Sequence, residues 1–415
     1  MSNSKLLCKL LCLIELRITW LVFKDRRKEL HLGVKPHKNG SCCPECGRRG
    51  RVLRRLAEAR VWRDLTIFGT TIWLYYAPCE ILCPTHGRLQ ENIPWASPHS
   101  RVTSRLEFRI CALSKMMAQN AAALLLDMAK STLSDLLHRV ITRTRAGHKI
   151  RGLVTIGVDE ISYAKGRKFA TIVYDLDRSR VLWVGAGKGR ETIDKFFSEH
   201  LSEYQRGRIR WASCDMGRAY IEAIKHHCPN ATLVLDRFHI VKALNEAVDA
   251  VRLEEWRKLE AGDQRRALKG LRWLLALHSR NRTDDQTRTI QKLRFSNRRI
   301  HRAWVLKDEF EAFWVFEDLD IARSFLESWI TAALRTRITT LRTFASTLRT
   351  YQAHVLAFLE RHLTNAAAEG LNRVIKIVKN RASGFRNLDS FADLILLTVG
   401  DLNILDHIPC GLRTL

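Results

Sequence analysis

The spacing of apolar positions divides the chain into stretches of different texture. Residues 18–35 alternate loosely, with Ile18, Trp20 and Val22 followed by Leu30, Leu32 and Val34, which predicts a small hairpin. Residues 59–76 are again extended in character, through Val61, Leu65, Ile67, Ile72, Trp73 and Tyr75. From Thr103 to Arg143 the period becomes helical, and Ser104 followed three residues later by Glu107 reads as a capping box. A further start at Ser131 opens a helix whose Leu133, Leu136, Leu137 and Val140 share one face. Three short helices ending this way form the pattern of a helix-turn-helix. Its last helix would present Lys130, Thr132, Ser134, His138 and Arg139 to phosphates and base edges; a plain helical linker is the alternative.

Residues 153–236 carry short β-branched runs: Val154, Ile156 and Val158; Ala170, Ile172, Val173 and Tyr174; Val181 to Val184; Ile209, Trp211 and Ala212; and Leu233 to Leu235. Helix-compatible segments at 190–204 and 217–227 separate the last three. Three strands in a meander, then strand, helix and strand, is the order of a ribonuclease H-like domain. From His239 to about Arg361 everything reads as helix, with Trp256, Trp273, Trp304, Trp314 and Trp329 expected buried or half-buried. A last apolar helix, Phe391 to Leu402, follows.

Charge narrows the partner. The 415 residues hold 70 Lys and Arg against 43 Asp and Glu, a net +27, which calls for a polyanion. Residues 1–150 contribute +15 and 251–300 contribute +8, whereas 151–250 contribute only +3. Two basic regions flanking a nearly neutral middle suit a globular core with separate DNA-gripping parts. Lys9, Glu15 and Arg17 interrupt the apolar run from Leu6 to Phe23, so no membrane span or signal peptide is expected. Eleven cysteines, an odd number partly clustered at metal-ligand spacing, fit a reducing cytoplasm.

Two knuckles of the same form, Cys43-Pro44-Glu45-Cys46-Gly47 and Cys83-Pro84-Thr85-His86-Gly87, supply four ligands from two tight turns. That is the donor set of a structural zinc site, and the strands between the pairs suggest a zinc ribbon. Cys8, Cys12, Cys42, Cys79, Cys111, Cys214, Cys228 and Cys410 read as small apolar residues. A second constellation is acidic. Asp159 and Asp215 end two strands that the proposed sheet makes neighbours, where paired carboxylates can bridge magnesium or manganese for phosphoryl transfer. Glu369 is the candidate third ligand. It lies with Asn372, Arg373, Lys376 and Lys379 opposite an apolar stripe of Leu371, Val374, Ile375 and Val378, although after Thr364-Asn365 it could serve the helix dipole alone. Asp236 and His239 follow a strand at DxxH spacing, either as auxiliary site residues or as a helix cap with a core histidine.

These motifs resemble those of the bacterial insertion-sequence transposases of the ISL-three family. The likeness runs through CPECG and CPTHG, Pro94-Trp95-Ala96, IGVDEIS at 156–162, CDMGRAY at 214–220, LDRFHIVKA at 235–243, TNAAAEGLN at 364–372 and IKIVKNRASGFRN at 375–387. The resemblance implies a DDE triad of Asp159, Asp215 and Glu369, with the 153 residues between the last two as a helical insertion domain. The expected protein is α/β and multidomain. A zinc-ribbon domain (1–98) and a helix-turn-helix segment (99–150) precede a ribonuclease H-like core (151–240 and 361–415) split by an all-helical insertion (241–360). Expected cofactors are structural zinc and catalytic magnesium or manganese, with DNA contacts from Arg373, Lys376 and Lys379 as well as the helix-turn-helix. Expected partners are double-stranded DNA, as terminal repeats and target, and further copies of the chain assembled on it, in a bacterial cytoplasm at the nucleoid. The rival readings are a binding-only protein with an inactive core and a structure-specific nuclease.

Overall fold

Alternating apolar residues build the first sheet, and a buried ion pair ties it to the helices that follow. In the computed structural model, residues 3–11, 13, 16–36, 41–164, 166, 168–361, 366–402 and 404 are described. The chain divides into two units, residues 1–149 with 376–415, and residues 150–375.

The first unit begins with α1 (Asn3–Leu10), the expected hairpin β1 (Leu16–Lys24) and β2 (Glu29–Pro36), and β3 (Arg51–Arg55). A second hairpin, β4 (Arg60–Ile67) and β5 (Thr70–Tyr76), leads to β6 (Cys79–Cys83) and β7 (Gly87–Gln90). The strands between the two knuckles do not form one ribbon. β4 and β5 join the first hairpin in a four-stranded sheet, β1-β2-β5-β4, while β3, β6 and β7 form a separate three-stranded sheet. The reason is burial: Trp62, Ile72, Leu74 and Tyr76 pack with Leu16, Leu32 and Val34 in one core, whereas β6 puts Cys79, Ile81 and Cys83 into a small core of their own with Cys43.

Three helices follow: α2 (Ser104–Met116), α3 (Gln119–Leu125) and α4 (Lys130–Gly147). The expected capping box from Ser104 does not form. Thr103 is the N-cap, and Glu107 instead accepts hydrogen bonds from Ser97 and Ser100 and pairs with Arg143 of α4. Beneath the cap, fully buried Asp64 on β4 accepts from the Thr103 hydroxyl at 2.7 Å and from Arg105 Nε at 2.6 Å, so its charge is paired and hydrogen-bonded. On α4 the stripe Leu133, Leu136, Leu137 and Val140 is buried, as its spacing requires.

The second unit holds a five-stranded sheet and most of the helices. β8 (Thr155–Ala164), β9 (Lys168–Asp175) and β10 (Arg180–Ala186) form the antiparallel meander. Then come α5 (Arg190–His200), α6 (Glu203–Arg208), β11 (Trp211–Cys214), α7 (Arg218–His227) and β12 (Thr232–Leu235). The strand order is β10-β9-β8-β11-β12, with β11 parallel to both β8 and β12. Next, α8 (Arg237–Arg257), α9 (Asp263–Ala276), α10 (Asp284–Ser296), α11 (Arg298–Phe310), α12 (Leu319–Leu334), α13 (Thr339–Thr350) and α14 (Gln352–Arg361) make the helical region; α8 packs on α9, α11 and α13, and α14 packs on β12. Trp304, Trp314 and Trp329 are buried in its core, but Trp273 is 73% exposed, because α9 buries Leu268, Leu271 and Leu275 on the opposite side.

The chain leaves this unit within α15 (Ala366–Arg381) and ends its described helices with α16 (Leu388–Val399). The sequence assigns residues 361–415 to the catalytic core; α16 instead packs on α2 and α4 in the first unit, where Phe391, Leu394 and Ile395 find apolar partners. None of the described helices is long and apolar enough to cross a membrane.

Candidate active site and metal centre

Parallel pairing decides where the two aspartates fall. Ser213 of β11 is level with Gly157 of β8, so Asp215 and Asp159, each two residues further on, are level with one another, Asp215 just past the end of β11 and Asp159 midway along β8, which runs on to Ala164 instead of ending at the aspartate as expected. Cys214 is level with Leu235 of β12, which brings Asp236 into the same row. Three neighbouring strands thus each place an aspartate in one row across the sheet.

Each aspartate is held by local hydrogen bonds. The Glu160 amide donates to Asp159 Oδ1 at 2.7 Å, and the Gly217 amide donates to Asp215 Oδ1 at 2.8 Å. A Cβ at Gly217 would stand 2.7 Å from Asp215 Oδ1, so any side chain there would displace that carboxylate. The Phe238 amide donates to Asp236 Oδ1 at 2.9 Å, making Asp236 the N-cap of α8. His239 Nε2 lies 3.8 Å from Asp159 Oδ1 and 3.7 Å from Asp236 Oδ2. Asp236 is therefore a cap and also part of the acidic row, and His239 bridges two members of that row.

Burial pushes the Asp159 carboxyl above its ordinary range; the Glu160 amide, His239 and Asn372 oppose that shift, while nearby Asp236 adds to it. Carboxylate oxygens of this kind are the donors a hard divalent cation prefers. Glu160 faces the other side of the sheet from Asp159, 3.8 Å from Lys188. Asp175, level with Ile156 near the start of β8, is fully buried and held by Arg178 and Arg180.

Glu369 lies on the first turn of α15, exposed, and lines a cavity of about 400 Å³ with Asp236, Arg237, Phe238 and Trp314. Thr364 and Asn365, the expected lead-in to that helix, fall outside the described residues. The apolar stripe is as expected, with Leu371, Ile375 and Val378 buried. Arg373 and Lys376 are exposed, and Lys379 is half-buried. One residue of the polar stripe has a contact that helical spacing alone does not reveal: Asn372 Nδ2 donates to Asp159 Oδ2 at 2.6 Å, and Tyr174 donates to Asn372 Oδ1 at 2.6 Å.

In the first unit the Cys/His set closes. Cys43 Sγ and His86 Nδ1 are 3.7 Å apart, Cys46 Sγ and Cys83 Sγ 3.6 Å, and Cys83 Sγ and His86 Nδ1 3.8 Å. Metal–sulfur bonds of about 2.3 Å in a tetrahedron set edges of about 3.8 Å, so these spacings fit a zinc-sized ion. Among the described residues this is the one group of three or more such ligands with all atoms within 4.8 Å of one another; the three carboxylates are more widely spread. Gly47 and Gly87 take φ of 69° and 71°, the left-handed geometry that both knuckle turns need. The amides of His86 and Thr85 draw the Cys83 thiol down to about 6, toward the thiolate that binds metal. Burial has the opposite effect on the isolated thiols, pushing Cys111 and Cys228 up to about 12 and Cys214 well above its ordinary value. Cys12 and Cys410 lie outside the described residues.

The helix-turn-helix residues divide into two groups. Lys130, Thr132 and Arg139 are exposed on α4. Ser134 and His138 are turned toward α16, with Ser134 Oγ 3.4 Å from Ser390 Oγ and His138 Nδ1 2.9 Å from Asp393 Oδ2. Ser134 is half-buried there, whereas the His138 ring stays 56% exposed while it meets Asp393.

The chain has recognisable relatives among known proteins. A family model described as a transposase, of the ISL-three DDE type, matches residues 156–395. The chain is similar to the transposase for insertion sequence element IS1001 of Bordetella parapertussis, 32% identical over 382 residues that cover 90% of this chain and 92% of that one. It is also similar to the transposase for insertion sequence element IS1557 of Mycobacterium tuberculosis, 26% identical over 380 residues, covering 86% and 85%. Among solved structures, the Drosophila P element transposase strand transfer complex aligns over 72% of this chain and 92% of that one, at a TM-score of 0.39 and 11% identity.

Proposed function

The chain belongs to the ISL-three family of DDE transposases, and we propose that Asp159, Asp215 and Glu369 are the carboxylates with which it cuts and joins DNA. It is a DNA-processing enzyme of transposition; the residues and metals that follow are our assignment. The observation that carries it is the level placement of Asp159 and Asp215 on adjacent parallel strands. When bound, magnesium or manganese would supply Lewis acidity for in-line displacement at phosphorus and a nucleophilic oxygen at neutral pH. The sheet offers carboxylate oxygens from Asp159 and Asp215, with Asp236 and His239 beside them, and α15 carries Glu369, which lines a cavity with Asp236.

In this reading the second unit is a ribonuclease H-like core, with α8 to α14 inserted between the second and third carboxylates. In the first unit the knuckles and the β3-β6-β7 sheet act as a zinc-ribbon-like element beside the β1-β2-β5-β4 sheet, and α2 to α4 act as a helix-turn-helix. Cys43, Cys46, Cys83 and His86 hold one structural zinc with no open position, which fixes the knuckles and leaves catalysis to the core. Lys130, Thr132 and Arg139 grip the terminal repeats of the element, while Arg373, Lys376 and Lys379 meet phosphates of the bound duplex. Copies of the chain assemble on paired ends in the bacterial cytoplasm, at the nucleoid, and the freed 3′ hydroxyl attacks target DNA.

The test is nicking of a labelled element end with magnesium or manganese, with a gel shift run in parallel. Asp159→Asn, Asp215→Asn and Glu369→Gln should each abolish nicking and leave end binding intact, because the amide keeps the shape and loses the charge. Equal cutting by Glu369→Gln would remove it from the triad. A wild-type chain that binds its ends but never cuts them would favour the binding-only alternative.

A further inference from the structure

We propose that Asn372, locked by Tyr174, is a positioning residue that sets the depth of the Glu369 helix over the sheet and the rotamer of Asp159. The inference rests on the metal-binding reading of Asp159 and adds to it residues outside the carboxylate set.

The hydrogen-bond chemistry leaves one orientation for the Asn372 amide. An ionised carboxylate only accepts, so the side of Asn372 facing Asp159 must be its NH₂, which donates at 2.6 Å. The amide oxygen is then turned to Tyr174, whose hydroxyl donates to it at 2.6 Å. Tyr174 is fully buried, and that burial raises its phenol far above the ordinary value, so it stays a donor under all working conditions. A buried phenol with one acceptor within reach costs less bonded than orphaned, and this penalty holds the amide the right way round.

Geometry gives the relay its function. Tyr174 is paired with Gly157 on β8, two residues before Asp159, so phenol and carboxylate emerge on the same face of the sheet as diagonal neighbours. Asn372 stands three residues after Glu369, one turn along α15. The Asn372 contact therefore ties the helix bearing the third carboxylate to the strand bearing the first, across 213 residues of sequence. With Glu160 N–H on Oδ1 and Asn372 N–H on Oδ2, each oxygen of Asp159 has one donor and keeps a lone pair for a cation. A neutral amide does this without adding a fourth negative charge to the row formed by Asp159, Asp215 and Asp236.

The experiment measures Mn²⁺ binding to the full-length chain without DNA, from loss of the free-ion electron paramagnetic resonance signal, alongside end nicking. Asp159→Asn serves as the control that removes the ligand itself. Outer-sphere partners of metal ligands are worth about 10–100-fold in affinity or activity. Asn372→Ala is expected to weaken Mn²⁺ by about tenfold or more and to slow nicking in proportion, with end binding unchanged. Tyr174→Phe, which removes one oxygen and keeps the ring, is expected to weaken Mn²⁺ by a smaller factor. The two variants combined should bind no worse than Asn372→Ala alone, because Tyr174 acts only through Asn372; a role in packing alone would make the two costs add. Wild-type Mn²⁺ affinity in Asn372→Ala, or full additivity in the double variant, overturns the relay while Asp159→Asn still loses the metal. A wild-type chain that binds no Mn²⁺ overturns the metal reading and the relay with it.

Discussion

His138 Nδ1 sits 2.9 Å from Asp393 Oδ2, tying the third helix of the helical segment to the last described helix of the chain, 255 residues away. The pairing gives a structural partner to a residue whose sequence position suggests DNA, while Lys130, Thr132 and Arg139 are exposed on the same helix. These side chains should therefore behave differently. Lys130→Ala and Arg139→Ala should each weaken duplex binding and make its log–log salt dependence shallower by about 0.9 for each phosphate left without its cation. His138→Ala should leave the salt slope unchanged and cost at most about 1 kcal/mol of stability, because the pair is half open to solvent. Anisotropy titrations at several salt concentrations separate the two outcomes. A slope change in His138→Ala would return that residue to the DNA face.

How much of this was legible in the sequence depends on how local each feature is. The β8 to β12 order could be read because its strands are buried, and strands such as Ile156 to Val158 and Leu233 to Leu235 appear as short β-branched runs. The Cys/His knuckles were legible because their ligand spacing is set within a single turn. What could not be read was pairing between distant segments: β4 and β5 joining β1 and β2, α16 docking on α4, and Asn372 reaching Asp159. Helical spacing put Asn372 on the polar side of α15, and nothing in one sequence names the partner on that side. Trp273 was misread for a related reason, since large aromatic residues suggest burial while α9 already fills its inner face with leucines.

Four ligands with edges of 3.6 to 3.8 Å predict one zinc per chain in freshly purified protein, measured by elemental analysis. A Cys43→Ser, Cys83→Ser double variant should contain none. Because a closed site contributes its binding energy to folding, chelation should melt the small β3-β6-β7 sheet, whose core consists largely of the cysteines themselves and Ile81. Zinc retained in the double variant would refute the ligand assignment.

Gly217 gives a test of Asp215 that leaves every carboxylate in place. Its φ of −69° suits any residue, so Gly217→Ala introduces no backbone strain. The added methyl would stand 2.7 Å from Asp215 Oδ1 and must push that carboxylate aside. Nicking should fall by about tenfold or more with end binding and melting temperature unchanged, as outer-sphere displacement of a ligand predicts. Full activity in Gly217→Ala would mean that the Asp215 rotamer seen here is not the one that works.

Glu160 and Asp175 both lie near the proposed triad in sequence or on its sheet, and their surroundings predict opposite consequences of neutralisation. Glu160 is half-buried on the face away from Asp159, and its nearest cation is Lys188 at 3.8 Å. Glu160→Gln should therefore fold normally and nick within a few-fold of wild type. Asp175 is fully buried between Arg178 at 3.0 Å and Arg180 at 3.2 Å, and its other oxygen accepts the Arg178 amide. Removing that charge takes from buried Arg180 one of its charged partners, and breaking a buried pair costs up to about 3–5 kcal/mol. Asp175→Asn should therefore lower the denaturation midpoint of the second unit while leaving nicking per folded molecule near wild type, because Asp175 is level with Ile156, three residues before Asp159 on β8. Denaturant titration read beside the nicking assay distinguishes the two effects. A stable Asp175→Asn chain that cannot cut would bring this residue into the active site and move the proposed catalytic edge.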